Sequence, residues 1–404
     1  MRALPARLSL LRIVAQGLVP ATGGASPVAA VARMLAIQGQ QVSAVPHAIL
    51  SRAPHSSRAE VKEAFDSSRL VRSWPMRGTV HITTAQDHHW LRAALKHRYG
   101  ASQSAALRGV DDALVTRAGE LALSAIGERG PLTRAELVEA WEEAGLRPEG
   151  EVFHGAHPMS ESFAKSWWRR HMLLRLHVEG VLAQAPLGSN EHLLIDASRL
   201  PDEDHGPVGA GVSRTGPRHR EALAEIARRY AMGHGPVGVH DLARWTTLPV
   251  GESLRALEDA CEAGEDDEGR ALKRIRVERG ARGGWTPDPR RPSRSDPDVY
   301  YMPSDLEDRA RESLDAARAT MLLASFDELH VGYKDRSCLT DESGEALICP
   351  ARNGMFRPIV VDAGRLVAVR PVKEGLIFLK GAPSAALRGR VEWAVSATLS
   401  RLGG

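Results

Sequence analysis

Three times along this chain a helical spacing of apolar residues gives way to a short alternating hairpin. That recurring order limits the possible folds more than any single motif. In the first round, residues 6–18 and 26–37 read as helices separated by the turn-rich Pro20-Ala-Thr-Gly-Gly, and Ser26-Pro27 combines a capping hydroxyl with proline at the first helical position. Residues 46–52 and 57–65 read as two shorter helices. The period then changes from 3.6 to 2, because Leu70-Val-Arg-Ser-Trp-Pro-Met-Arg-Gly-Thr-Val-His-Ile-Thr reads as two strands around Pro75–Gly78. Residues 85–98 return to helix, with Trp90, Leu91 and Leu95 on one face.

The second round has helices over 113–126 and from Thr133, which stands three residues before Glu136 at capping-box spacing. A long helix over 160–179 carries Lys165, Arg169, Arg170 and Arg175, and strands 181–185 and 191–195 bracket Gly188-Ser-Asn. The third follows a Pro/Gly/Asp-rich linker over 201–216. Its helices are 218–232, 238–245 and 252–261, and Leu272-Lys-Arg-Ile-Arg-Val-Glu is expected to pair with Val299-Tyr-Tyr-Met. Between those strands, residues 279–297 read as a mobile Arg/Gly/Pro loop. From Met321 onward strands dominate, over 321–324, 347–349, 355–361, 366–372 and 375–379. Asp362-Ala-Gly-Arg forms a tight turn, and a closing helix covers 385–402.

Helices followed by a hairpin is the element order of a winged helix. The expected class is therefore α+β: tandem winged-helix motifs followed by a small C-terminal β domain. The expected divisions are 1–110, 111–200, 201–318 and 319–404.

Composition narrows the partners. A hydrophobic fraction of 43% and a charged fraction of 25% describe a globular chain. Cys261, Cys338 and Cys349 are too few and too scattered for a disulfide framework, and suit a reducing cytoplasm. The run Leu8–Pro20 has some features of a secretory signal, but Arg12 and Gln16 interrupt it, and its period makes it a first amphipathic helix. No stretch approaches the roughly 20 apolar residues of a membrane helix. The net charge of +3 conceals an asymmetry: residues 1–110 hold 14 Lys+Arg against 4 Asp+Glu. Residues 270–294 hold nine Lys+Arg and two Asp+Glu. Two such segments point to a polyanion, with phosphate or minor-groove contact for the second; a solvated loop is the alternative there.

No sequence element carries familiar catalytic chemistry. Gly206-Pro-Val-Gly-Ala-Gly lacks the preceding strand that a dinucleotide loop needs and reads as linker. Asp202, Asp204 and His205 lie in the same linker, and His154 and His157 lack companion ligands, so no metal is expected and no cofactor. Asp327-Glu328 reads either as a pair of general bases or as an ion pair with Lys334 or Arg336. There remains Gln38-Gly39-Gln40, at the end of an apolar helical run in the basic segment. An amide does not titrate near neutrality, but it orients a water through its carbonyl and turns its dipole toward a developing cation. The plainer reading is a helix end capped by Gly39.

Gln38-Gly-Gln40, the Trp74-Pro-Met-Arg-Gly-Thr-Val-His segment, Leu242-Ala-Arg-Trp, Ser325-Phe-Asp-Glu-Leu-His and Asn353-Gly-Met-Phe-Arg-Pro together resemble the winged-helix DNA glycosylases typified by AlkZ, over nearly the whole chain. The resemblance implies tandem winged helices around a DNA channel, then a small β-barrel. It also implies monofunctional excision of alkylated purines, crosslinked ones included. The family's catalytic Gln, apolar residue, Gln or Asp falls on Gln38 and Gln40, with Gly39 where the family has an apolar side chain. Arg72, Arg77 and His81 are then expected to hold double-stranded DNA, with Arg169, Arg170, Arg274, Arg276 and Arg282 as further contacts. The enzyme is expected to work as a monomer on the nucleoid. A non-catalytic winged-helix regulator and a protein-interaction scaffold are the competing expectations.

Overall fold

The computed structural model describes residues 2–103, 112–146, 153–154, 157–158, 161–201, 217–265, 270–379 and 381–403. The linker with Asp202, Asp204, His205 and Gly206 lies outside the described residues, as do the side chains of His154 and His157. Packing divides the chain into two compact units. One is discontinuous, Met1–Val61 with Leu223–Gly404; the other is Lys62–Ala222.

The inserted unit is built on an antiparallel sheet. Its strands run in the order Thr79–Thr84, Leu70–Met76, Leu182–Leu187, His192–Asp196. The first and second hairpins of the sequence therefore meet in one sheet, with Arg72 opposite Gln184. The first hairpin turns on Arg77 (φ 56°) and Gly78 (φ 64°), two consecutive left-handed residues. This is the turn whose twist matches that of the flanking strands. Helices Ala85–Gln103 and Glu161–Glu179 also belong to this unit. Helices Asp112–Arg129 and Arg134–Glu143 enclose a core with Trp141 and Trp168, and the second starts on the capping box of Thr133 and Glu136.

His177 and His192 in this unit are buried neutral. Burial lowers His177 to about 3 and His192 to about 4, against partial compensation from the backbone carbonyls of Leu173 and Ala185. In the unfolded chain both titrate near 6.5. Below that pH the unfolded state binds more protons, so the stability they confer is complete above about pH 6.5 and is lost as pH falls toward their folded values. Thermal unfolding of the protein is expected to shift downward between pH 6.5 and pH 4. In a variant with His177 and His192 both replaced by glutamine, that part of the slope should vanish; an unchanged slope would remove these residues as the cause.

The discontinuous unit holds two further antiparallel sheets. In one the order is Trp285–Pro287, Leu272–Val277, Val299–Pro303, Val237–Gly238. The expected pairing of the strands at 272 and 299 is present. The intervening Arg/Gly/Pro segment is more than a loop, because Trp285–Pro287 adds a third strand and the indole Nε1–H donates to Glu307 Oε1 (2.8 Å). The other sheet has the order Met321–Leu323, Ile359–Asp362, Arg365–Val369, Ile377–Phe378. Ala363 (φ 48°) and Gly364 (φ 77°) make its tight turn. Among the described residues this sheet is open, and no closed barrel forms. The expected strand at 347–349 is the end of a helix, Glu342–Ile348, started by Asp341, whose Oδ1 accepts the Gly344 N–H (3.1 Å). The closing helix Ala385–Arg401 lays Val391 and Val395 on this sheet against Leu322, Val360 and Ala368. Among the described residues, no helix is long and apolar enough to cross a membrane.

Candidate active site

The helix Pro27–Met34 ends three residues before its expected end. Leu35 stops it by taking φ 61° and ψ −47°, a conformation that costs a leucine on the order of 1–3 kcal/mol. Leu35 and its neighbour Ala36 are completely buried, so packing holds the bend. The chain then extends through Ile37–Gln38, and Gly39 is not the helix cap. Gln38 is half-buried, Gly39 buried and Gln40 exposed.

What fixes Gln38 is a carboxylate 290 residues away. Its backbone N–H donates to Glu328 Oε1 (2.9 Å), and Glu328 has no exposed surface. The other oxygen, Oε2, accepts from Trp245 Nε1–H (3.3 Å) and faces His234 Nε2 (3.4 Å). The Gln38 and Trp245 N–H groups thus bond one carboxyl oxygen each. Burial, foremost, lowers the His234 pKa, against the opposing pull of Glu328.

Asp327, the adjacent residue, has a different partner. Arg52 grips it with two parallel bonds, Nη1 to Oδ2 and Nη2 to Oδ1, both 2.9 Å, and neither side chain is exposed. Arg52 also donates to Ala48 O (3.0 Å) and Gln16 Oε1 (2.5 Å), and Gln16 donates to Tyr333 Oη (2.9 Å). Asp327 Oδ1 caps the short helix Glu328–Val331 through the Leu329 N–H (2.9 Å). Neither Lys334 nor Arg336 is the partner expected from sequence. Arg336 pairs with Glu345 (3.3 Å) beside His330, and the Lys334 N–H bonds Asp241 Oδ1 (2.7 Å). Phe326, just before the acidic pair, takes φ 60°. Strained non-glycine residues thus precede both sides of the Gln38–Glu328 contact, and strain of this kind concentrates at functional sites. Three of the quoted motifs meet here: Gln38-Gly-Gln40, the Trp245 end of Leu242-Ala-Arg-Trp, and Phe326-Asp-Glu-Leu.

The expected DNA contacts divide by exposure. In the inserted unit Arg72 is 2% exposed and donates to Gln184 Oε1, and burial lowers its pKa to about 10. An arginine so placed supports the sheet. Arg77 is half-buried and its Nη2 donates to His81 Nε2 (2.9 Å). Because a guanidinium only donates, Nε2 accepts, and Nδ1–H donates to Thr79 O (2.9 Å). His81 is fully buried and orients Arg77. Arg169 pairs with Glu142, and Arg170 is exposed. In the discontinuous unit Arg274 is held by Glu258 (Nη2 to Oε2, 2.7 Å) with its side chain 12% exposed, which makes it a framework cation. Arg276 is tied to Asp288 and Asp296 yet half exposed, and Arg282 is exposed. The excess charge of 270–294 is thus partly neutralised by acids outside that stretch. With Arg290, Arg291 and Arg294, Arg276 lines an open pocket of about 680 Å³. Trp245, His234 and Arg52 were not singled out from sequence, and Glu328 was, with Asp327, as a possible general base or ion-pair partner. Trp245 and Glu328 stand inside quoted motifs, and only their contact with Gln38 was invisible there.

Among the described residues, no group of three or more His, Cys, Asp or Glu is arranged to hold a metal ion. Comparison with curated proteins gives no match. Among solved structures, the DNA glycosylase AlkZ of Streptomyces sahachiroi superposes with a TM-score of 0.63 at 17% identity, over 100% of this chain and 97% of that one, which establishes the fold. The family model described as DNA glycosylase AlkZ-like matches residues 31–397, from before Gln38 to the closing helix. The chain therefore belongs to the AlkZ-like DNA glycosylase family, and DNA glycosylase activity is what that membership supports.

Proposed function

We propose that the protein is a monofunctional glycosylase that hydrolyses the N-glycosidic bond of purines alkylated at N7, crosslinked purines included, in double-stranded DNA. The observation that carries this reading is the fixing of the Gln38 peptide on a buried carboxylate supplied by a second motif of the same family. A side chain that orients a water needs a rigid backbone beneath it.

The chemistry suits neutral amides. A purine alkylated at N7 is cationic, so the electrons of the C1′–N9 bond leave with the base, which departs neutral. The sugar passes through an oxocarbenium-like state, water forms the new C1′–O bond, and its proton goes to solvent. Gln38 and Gln40 orient the water and turn their carbonyl dipoles toward the sugar cation. No strong acid is required. The two hairpin-bearing halves of 1–200, and the segment 201–318, act as winged helices in this reading. Arg77, Arg169, Arg170, Arg276 and Arg282 meet phosphates, and the enzyme acts as a monomer in the cytoplasm.

Incubation with duplex containing N7-methylguanine, followed by alkali, is expected to give breaks at the lesion and free methylated base in solution. Intact strands with a sequence-specific footprint on undamaged DNA would instead favour a non-catalytic regulator.

A further inference from the structure

Arg33 stands in the last turn of the helix Pro27–Met34, just upstream of the Leu35 bend that leads into the Gln38 motif. Its stem lies across Gly17, where a Cβ would stand 3.2 Å from Arg33 Cδ. The residue is half-buried, and its Nε–H is buried with no hydrogen-bond partner among the described residues. The helix end does not occupy it, because the Ala32 carbonyl already accepts from Arg229 Nη2 (2.5 Å) and from the Leu35 N–H (3.1 Å). The charged groups that act on Arg33 are the cations Arg309 and Arg270 and a single acid, Asp305. That acid is engaged elsewhere: Asp305 Oδ1 accepts from Arg309 Nη2 (2.9 Å). The next two acids of the same helix, Glu307 and Asp308, pair with Lys273 (2.5 Å) and Arg311 (2.7 Å). Arg309 also keeps its own Nε–H buried without a partner among the described residues. Two arginines of the discontinuous unit, one on Pro27–Met34 and one on Leu306–Glu312, thus repel each other and both hold an unused donor. A buried donor without an acceptor is unfavourable, and an anion shared by the two guanidiniums relieves both conditions.

We infer that Arg33 and Arg309 form a site for a phosphoryl oxyanion, and that a phosphodiester of the bound duplex supplies it. This rests on the DNA binding that family membership implies, and not on the chemistry proposed for Gln38 and Gln40. A guanidinium matches phosphate through a planar fork of parallel N–H groups, and the Nε–H is one prong of that fork. Both arginines are only partly covered, with the Arg309 side chain 25% exposed, so a phosphate reaches them from solvent. Contacts to phosphates carry no sequence information but set the register of a protein on its duplex. A phosphate held at this helix end fixes the DNA backbone against the same helix that presents the Gln38 motif.

The test uses the full chain as wild type, Arg33→Gln, Arg309→Gln and Arg311→Gln, the last being an exposed arginine paired with Asp308 that serves as the control for simple loss of charge. Two quantities are measured for each: the Kd for undamaged duplex at several KCl concentrations, and the shift of the unfolding midpoint by inorganic phosphate over chloride at equal ionic strength. Base release is not read, so a failure of the glycosylase chemistry is distinguishable from a failure of this site. Arg33→Gln and Arg309→Gln are each expected to weaken duplex binding by about three- to tenfold and to lower the slope of log Kd against log salt by about 1, the contribution of one phosphate contact. The phosphate shift of the midpoint, present in wild type and in Arg311→Gln, should vanish in both. Without phosphate, Arg33→Gln should unfold at or above the wild-type temperature, because it removes the repulsion from Arg309. Loss of the phosphate shift with Kd and slope unchanged overturns the duplex as the source and marks a site for free phosphate. Variants that match Arg311→Gln in both measurements overturn the site itself. A lower midpoint for Arg33→Gln without phosphate overturns it as well, because it would mark an arginine that only holds the fold.

Discussion

Replacing Gln38 and Gln40 together by alanine is expected to slow release of N7-methylguanine by about 10²–10³-fold, the usual cost of removing preorganised polar groups from a transition state. The substitution is structurally mild for reasons visible in the fold. Gln38 is half-buried and Gln40 exposed, so neither side chain is a core element. Gln38 meets Glu328 through its backbone N–H, which alanine keeps. The unfolding midpoint should therefore move little, and duplex affinity, carried by arginines elsewhere, should stay within about threefold. The two single variants should each lose most of what the double variant loses, because groups that share one water act as a unit. Single-turnover rates measured at saturating enzyme separate this from weakened binding. Full rate in the double variant would end the assignment of the motif.

The parts of the fold that sequence revealed are those set by neighbours in the chain. The turn at Arg77-Gly78 needs two left-handed residues, and a glycine announces one of them. The Thr133–Glu136 box and the Ser26-Pro27 start are written in residues at most three apart. What was not legible depends on distant partners. Nothing near Leu35 tells that a leucine will leave the helix, because its strain is borne by buried contacts. Leu347-Ile-Cys is apolar enough for strand or helix, and the cap from Asp341 decides it. Counting charges overstated the free basic surface, since Arg274 and Arg279 find acids at Glu258 and at Asp298 with Asp335. Likewise, the candidate site could be named at Gln38 and Gln40 from the resemblance, but not the carboxylate that anchors it. Glu328 lies 290 residues from Gln38, and nothing in a sequence without pairing information joins them.

Arg52→Ala should be the most destabilising substitution in the discontinuous unit. Removing one member of a buried ion pair leaves the other charge without a partner, at about 3–5 kcal/mol. Here Arg52 also bonds Gln16 and Ala48, so three acceptors lose their donor at once. The unfolding midpoint should fall by on the order of 10 °C in a unit of this size. Asp327→Ala should cost a similar amount, since Arg52 is then the stranded charge and the Leu329 N–H loses its cap. If the pair is the cause, the losses will not add: Arg52→Met with Asp327→Leu, which fills the same space with apolar groups, should recover most of the stability of either single change. Activity should be retained in that double variant. Glu328 keeps its bonds from the Gln38 and Trp245 N–H groups in that variant, so the Gln38 peptide should remain fixed and base release should continue. Strict additivity in thermal unfolding would show that Arg52 and Asp327 contribute separately, and a double variant that is stable but inactive would show that the pair does more than hold the fold.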